Sequence, residues 1–138
     1  DEIGHRVAFA VTAVGRAYLA FCPKAEHGEI IAGLRKSAHP ADQIARTPEK
    51  LELILEEVRA NGYATRDEFY LGGHYSENTF FDDGLSAVSV PIRVGDQVLG
   101  CVNLVWMRQA VPVEDFVANH LSDLQAAADE IVAAYSGP

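Results

Sequence analysis

Cysteine is almost absent from this chain of 138 residues, which contains only Cys22 and Cys101. The two thiols lie far apart in the sequence and form no C-x-x-C motif. Two such residues do not predict a disulfide framework. We therefore expect free, buried thiols in a protein of the reducing cytoplasm.

Basic residues are also scarce, because 11 Lys and Arg stand against 20 Asp and Glu, giving a net charge of −9. Contacts to nucleic-acid phosphates need a basic surface. We therefore expect that this chain alone does not bind DNA specifically. No apolar run approaches the roughly 20 residues of a membrane span, and no signal peptide is visible, so no membrane association is expected.

What is present fits one globular domain. Hydrophobic residues make up 49% of the chain and charged residues 22%, which is ordinary for a folded domain of this length. No internal repeat, linker or low-complexity tract interrupts residues 1–138. The chain starts with Asp1 instead of Met, and its first residues already resemble part of a strand, so we expect it to be cut from a longer protein.

The stretch from Leu85 to Trp106 predicts a β-hairpin, because Val, Ile and Leu dominate two arms separated by Gly95-Asp96. A two-residue loop with Gly first suits antiparallel strands. Both faces of the arms are largely apolar, which predicts a hairpin covered on both sides. Pro91 cannot donate to a ladder and predicts an edge or a bulge. Asn103 is interpreted either as a side chain bonded to a loop or as the polar floor of a pocket.

Helices are predicted before and after this hairpin. Thr12 suits the N-cap of a helix over 13–22, and Pro23 suits the start of a second helix over 24–36. Thr47-Pro48-Glu49 predicts the start of a third helix, which ends at Asn61-Gly62. The last helix, Glu114 to Tyr135, has a predicted buried side of Phe116, Val117, His120, Leu121, Leu124, Ala127, Ala128, Ile131 and Val132.

The remaining segments are predicted as short strands and loops. Residues 6–11 and 63–71 are expected to form strands, and residues 37–46 a polar loop. Residues 72–84 are polar and glycine-rich and show no clear pattern. A segment of this length is long for a connection, and such loops are often functional lids or partly disordered.

Two enzyme-like alternatives have weak support. A thiol nucleophile at Cys22 or Cys101 would need one of the five histidines as its base, but no motif links a Cys to His5, His27, His39, His74 or His120. A metal site could use His74, Glu77, Asp82 and Asp83, although their spacing fits no metal motif. We expect neither an enzyme nor a metal or other cofactor. An oligomerisation module without a ligand is the remaining alternative.

Three phrases read together resemble the effector-binding domain of IclR-type transcriptional regulators: IGHRVAFAVTAVGRAYLAFCP, LELILEEVRANGYATRDE and LSAVSVPIRVGDQVLGCVNLVW. The resemblance covers nearly the whole chain, and TAVGRAYLAF is its most specific part. Within the family, LAFCP and GCVNLVWM are most similar to activators of 3-hydroxyphenylpropionate catabolism.

The resemblance implies an α/β (α+β) fold similar to GAF domains, in which helices pack on a curved antiparallel sheet. It also implies that the helix-turn-helix domain and the first strands of the sheet are absent. DNA would be bound only through that absent N-terminal domain. The resemblance further implies a cytoplasmic regulator that assembles with itself as a dimer or tetramer.

In this family a small organic acid binds on the concave face of the sheet. The resemblance places the backbone N–H groups of Ala13 and Val14 at the ligand's carboxylate, which agrees with the positive end of a helix dipole. Thr12 capping these groups is the structural alternative, and the two are compatible.

The resemblance aligns Arg66 and Asp67 with an acidic pair that contributes to the family's ligand site. Arg66 departs from this pattern, because the family has an acidic residue at the first position. The alternative interpretation is that both side chains lie on a solvated face of the strand. Ala87, Asn103 and Val105 match positions that carry small polar side chains in a relative. Only Asn103 is polar here, which favours an aromatic acid over a two- or three-carbon acid.

Overall fold

The long hairpin predicted by the sequence forms the centre of the molecule. A computed structural model of the chain describes residues 8–68, 70, 75–76, 79–80 and 82–135, with only the backbone for 75–76 and 79–80. The elements in chain order are α1 (Ala13–Phe21), α2 (Lys24–Lys36), a 3₁₀ helix (Pro40–Arg46), α3 (Pro48–Asn61), β1 (Ala64–Thr65), β2 (Tyr75–Ser76), β3 (Thr79–Phe80), β4 (Leu85–Val94), β5 (Gln97–Met107) and α4 (Val113–Tyr135).

Three antiparallel strands form the main described sheet, in the order β1-β4-β5, while β2 and β3 pair separately. Gly95 has a φ of 58°, a value that glycine adopts without strain, and it connects Val94 to its partner Gln97. The register shifts after the Ile92–Gly100 pair, because Arg93 pairs with Val98 and Leu99 of β5 is skipped. The predicted hairpin is therefore confirmed, but the bulge lies in the second arm and not at Pro91. On its other side β4 pairs with β1 only at Val88 and Ser89, so among the described strands Pro91 has a neighbour on one side, as the edge alternative predicts.

Helices cover the two faces of β4. Val88, Val90 and Ile92 form one buried cluster with Phe116 and Leu124 of α4. A second cluster joins α1, α3 and β1, and its members are Ala10, Ala17, Leu19, Ala20, Ala45, Leu51, Leu55, Val58 and Ala64. Burial of a Leu or Val side chain stabilises a fold by about 1.5–3 kcal/mol, so these two clusters hold the helices on the sheet.

The prediction that both arms of the hairpin are covered is wrong for β5. Strand β4 is buried along most of its length, whereas Leu99, Leu104, Val105 and Met107 of β5 are exposed, Met107 to 59%. Among the described strands β5 pairs only with β4. Alternation of apolar residues indicates a strand but not whether a neighbouring element covers it. The prediction that β5 is covered failed for this reason.

Other predicted boundaries need correction. The described part of the 6–11 strand, from Ala8 onward, is a turn, and residues 6 and 7 lie outside the described part. Residues 40–46 of the predicted loop form a 3₁₀ helix, and within the described part of 63–71 only Ala64–Thr65 form a strand. The described part of 72–84 contains β2 and β3. In α4, His120 and Ile131 are exposed to solvent, contrary to prediction.

The turn before α1 packs against Gly15. A Cβ atom built on Gly15 would lie 2.5 Å from both the Cα and the carbonyl oxygen of Phe9, which is closer than carbon atoms can approach. Thr12 Oγ1 also donates to the Ala8 carbonyl at 2.7 Å. Glycine at position 15 therefore lets residues 8–11 fold directly over the first turn of the helix.

Gly15→Ala should lower the free energy of unfolding by about 1–3 kcal/mol, because overpacking forces backbone to move. Gly33→Ala is the matched control, since Gly33 is also in a helix but a Cβ there meets nothing within 4 Å. That variant should be stabilised by roughly 0.5–1 kcal/mol. Urea denaturation checks both values, and equal effects of the two variants would contradict this packing.

Candidate functional site

The first turn of α1 presents backbone donors that its cap leaves available. Thr12 is the N-cap, and its Oγ1 accepts from the Gly15 N–H at 3.0 Å, so the predicted cap is confirmed. The N–H groups of Ala13 and Val14 have no acceptor among the described residues. Two available N–H groups at the positive end of a helix favour an anion.

One face of the hairpin carries the predicted strand residues. Ala87 lies opposite Val105, and Ser89 lies opposite Asn103, so these two cross-strand rows share the face away from α4. Ala87 is buried, whereas Asn103 and Val105 are exposed on β5. The face is thus apolar with one accessible amide.

Helix α1 packs on this same face. The Cys101 thiol, in the next row of β5, lies 3.9 Å from the Val14 carbonyl oxygen. At the other end of the helix, the Arg93 guanidinium stacks on the Phe21 ring, 4.6 Å from its centroid. The helix therefore starts towards the rows of Asn103 and Val105 and ends towards the hairpin turn.

We call the region at the start of α1 and on the neighbouring strand face, with Ala13, Val14, Ala87, Asn103 and Val105, the shelf. Ala13 and Ala87 are buried, whereas Asn103 and Val105 are exposed. The shelf brings backbone donors of a helix start to the same end of the sheet face as one accessible amide.

Ser89 is a polar residue of this face that the sequence prediction omitted. Its hydroxyl is fully buried, and no described group satisfies it in hydrogen-bond geometry. It lies close enough to the Cys101 thiol to lower that thiol's pKa, an effect that burial of the thiol outweighs. A buried hydroxyl without a partner costs about 1–3 kcal/mol. Its only sequence signal was a serine within an apolar strand.

Arg66 lies beyond the end of β1 and binds a carboxylate of its own chain. Its Nη1 and Nη2 donate to the two carboxylate oxygens of Asp83 at 2.8 and 2.6 Å, and Nη1 also donates to the Leu85 carbonyl at 2.7 Å. The Tyr70 ring lies 4.7 Å from the guanidinium. Burial raises the pKa of Asp83, but the hydrogen bonds from Arg66 and the Leu85 N–H outweigh it, so the net pKa is lowered.

A cleft of about 330 Å³ opens beside this ion pair, within the size range of small-molecule sites. It includes Arg66, Asp67 and Ala87 but none of the other predicted residues. Its lining is formed by Thr65, Arg66, Asp67, Glu68, Tyr70, Leu85, Ser86, Ala87, Arg108, Val111, Pro112, Val113 and Glu114. A groove of about 520 Å³ between α2 and α3 contains none of the predicted residues.

Asp67 links β1 to the start of α1. Its carboxylate accepts from Arg16 Nη2 at 2.9 Å, and its N–H donates to the Val11 carbonyl at 2.9 Å. Arg16 Nε in turn donates to the Ala10 carbonyl at 2.9 Å. Burial lowers the pKa of Arg16, and Asp67 offsets part of that effect. Sequence reasoning missed Arg16, whose only signal was a charged residue in an apolar helix.

Asp67→Asn should cost about 3 kcal/mol of stability, because it leaves the Arg16 side chain, only 8% exposed, as a buried charge without its carboxylate. Glu52→Gln breaks an ion pair with Arg59 whose side chains are 46% and 36% exposed. That control should cost at most ~1 kcal/mol. Guanidinium denaturation compares them, and a loss at Asp67 no larger than at Glu52 would contradict the anchoring role.

The described residues give no support to the enzyme or metal alternatives. Burial raises the pKa of both Cys22 and Cys101, which favours inert thiols, and each thiol lies against a backbone carbonyl. Asp82 and Asp83 pair with Arg108 and Arg66, and the described residues contain no cluster suited to a metal ion. His74 and Glu77 lie outside the described part of the chain.

The described helices are too short or too polar to cross a membrane.

The fold is shared with solved transcription-regulator domains. One is the inducer-binding domain of PobR from Acinetobacter, a double mutant in complex with 3-hydroxybenzoic acid, with a TM-score of 0.66, 19% identity, and coverage of 95% of this chain and 71% of that one. Another is the C-terminal domain of KdgR from E. coli, with a TM-score of 0.63, 21% identity, and coverage of 91% and 69%.

At 19% and 21% identity these two structures show that the fold is shared. Residues 1–133 match the family described as "Bacterial transcriptional regulator IclR C-terminal", and the chain therefore belongs to the IclR family. A curated relative, the probable transcriptional regulator SauR of Cupriavidus necator, is 32% identical over 129 residues. The match covers 94% of this chain but 46% of SauR, so the chain spans less than half the length of that relative. The family places the chain among regulators and not among enzymes.

Proposed function

We propose that this domain senses a small aromatic carboxylic acid and transmits its binding to the DNA affinity and assembly of a transcription regulator. The observation that carries the proposal is the shelf, where the available N–H groups of Ala13 and Val14 adjoin an apolar strand face. The N–H groups would receive the carboxylate, and Ala87 and Val105 would support the ring.

Asn103 would orient a polar substituent of the ring, because it is the accessible amide of this apolar face. The ligand of PobR, 3-hydroxybenzoic acid, is an acid of this kind. The phrases LAFCP and GCVNLVWM, similar to activators of 3-hydroxyphenylpropionate catabolism, favour a hydroxyphenylpropionate as the effector. A charge-assisted hydrogen bond from Arg66 would add to carboxylate binding.

A sensor of this kind acts because its ligand binds one conformation more tightly than another. With a net charge of −9, the chain lacks the basic surface that DNA binding needs. We therefore propose that DNA is contacted through a separate N-terminal domain, and that the regulator works in the cytoplasm.

A panel of hydroxybenzoates, hydroxyphenylpropionates and short aliphatic acids tests the ligand class by thermal shift and calorimetry. A ligand that binds only the native state stabilises it by about 2.7 kcal/mol at 100 times its Kd. Aromatic acids should raise the unfolding temperature, while aliphatic acids of two or three carbons should have less effect.

Asn103→Leu should weaken binding of the best aromatic acid about tenfold, because a net hydrogen bond contributes about 1–1.5 kcal/mol. Asn119→Leu is the control, since Asn119 is an exposed asparagine of α4 that bonds to its own helix. Calorimetry measures both dissociation constants. Unchanged affinity in Asn103→Leu would show that the ligand does not use the shelf.

An oligomerisation module without a ligand is the second candidate, and the exposed apolar residues of β5 favour it. Exposed strands invite pairing with another chain, so we propose that the chain assembles with itself as a dimer or tetramer in either case. If no acid of the panel raised the unfolding temperature and the chain still assembled stably, the result would favour this second candidate over the sensor.

Leu104→Lys should shift the assembly towards monomers, because it places a charge among the exposed apolar side chains of β5. Leu53→Lys is the control, since Leu53 on α3 is an exposed leucine outside the sheet. Light scattering of both variants and the parent chain gives the masses. A monomeric parent at high concentration would contradict self-association, and equal shifts would contradict the use of β5.

A further inference from the structure

The Arg66 guanidinium binds a carboxylate of its own chain. The two guanidinium nitrogens meet the two oxygens of Asp83 at 2.8 and 2.6 Å, which is the bidentate geometry that arginine also uses to recognise carboxylate ligands. Asp83 therefore has the same chemistry as the anionic end of an organic acid.

The pair lies beside the shelf. Arg66 and Tyr70 line the cleft together with Ala87, which also belongs to the shelf. The following residue, Asp67, donates its N–H to the Val11 carbonyl just before the first turn of α1. The side chains of Arg66 and Asp83 are 12% and 20% exposed. An acid that enters the cleft beside Ala87 would meet the Arg66 guanidinium.

We propose that Asp83 is an internal competitor of the effector, which occupies Arg66 in the empty protein and is displaced by the effector's carboxylate. This inference rests on the proposed function. The exchange replaces one carboxylate on the guanidinium by another, so no uncompensated charge is left at Arg66. The displaced Asp83 moves into water, where a carboxylate is well solvated.

The exchange also gives a route from the ligand to the sheet. Asp83 Oδ1 accepts from the Leu85 N–H at 3.1 Å, and Leu85 is the first residue of β4. An effector that displaces Asp83 would break this bond as well. The conformation at the start of β4 would then differ between the empty and bound states, as a ligand-driven shift requires.

The test measures the Kd of 3-hydroxybenzoate and of 3-(3-hydroxyphenyl)propionate by calorimetry. Asp83→Asn should bind them about three- to tenfold more tightly than the parent, because the competitor is neutral. Asp82→Asn is the matched control, since it removes the same charge from the adjacent residue, whose partner is Arg108. Its affinity should stay within about twofold of the parent.

The gain must depend on Arg66. Arg66→Gln should weaken binding, and adding Asp83→Asn to Arg66→Gln should give no further change. The inference would be overturned if Asp83→Asn bound the acids no more tightly than the parent, or if its gain in affinity were no larger than that of Asp82→Asn. Either result would leave the proposed function in place. Absence of binding by both the parent and Asp83→Asn would overturn the proposed function, and this inference with it.

A measurement on the unaltered chain covers the case in which Asp83→Asn fails to fold. Amide hydrogen exchange at Leu85 should become faster when the acid saturates the protein, because its acceptor has left. The Ser86 to Val90 amides of β4 serve as the reference. Unchanged or slower exchange at Leu85 in the saturated protein would overturn the displacement of Asp83.

Discussion

The buried ion pair between Arg16 and Asp67 determines where the first turn of α1 lies. Arg16 holds the turn before the helix through the Ala10 carbonyl, and Asp67 holds it through the Val11 carbonyl and the Arg16 guanidinium. The two side chains thereby fasten a helix start to the end of β1. Because β1 pairs with β4, these hydrogen bonds tie the helix donors to the strands that carry the rest of the shelf.

Gly15 has a complementary role in the same region. Its missing side chain lets the backbone of Phe9 approach the helix, so that the turn can reach the two anchoring residues. The helix start is consequently fixed by a buried charge pair, a cap at Thr12 and a close backbone contact. Preorganised donors of this kind bind an anion without losing conformational entropy of their own.

An acidic chain can still bind an organic anion, because recognition is local. Solvent-exposed charges are screened beyond about 8 Å at physiological ionic strength, so distant surface carboxylates that make up the net charge of −9 act weakly on a ligand at the shelf. Asp67 and Asp83, which line or border the cleft beside Ala87, are each paired with an arginine. Their negative charges are thus partly neutralised within the chain.

The sequence predicted the features that depend on local chemistry. Thr12 as a cap and Gly95 in the hairpin turn follow from residues a few positions apart, and both are present. Pro91 did not predict the bulge, which lies at Leu99 in the opposite arm. Arg16 was missed because its partner, Asp67, is 51 residues away. The exposure of β5 was missed because apolar alternation does not report which strands have neighbours. Ser89 was missed because an isolated serine in a strand resembles a tolerated core residue.

The central claim is that the ligand's carboxylate is bound by the first turn of α1. A ¹H–¹⁵N correlation titration with 3-hydroxybenzoate or 3-(3-hydroxyphenyl)propionate tests it directly. The amide-proton resonances of Ala13 and Val14 should shift downfield, because these N–H groups acquire an anionic acceptor. The Asn103 side-chain amide should shift with them at the same ligand concentration. Saturable shifts confined to the groove between α2 and α3, with Ala13 and Val14 unchanged, would contradict it.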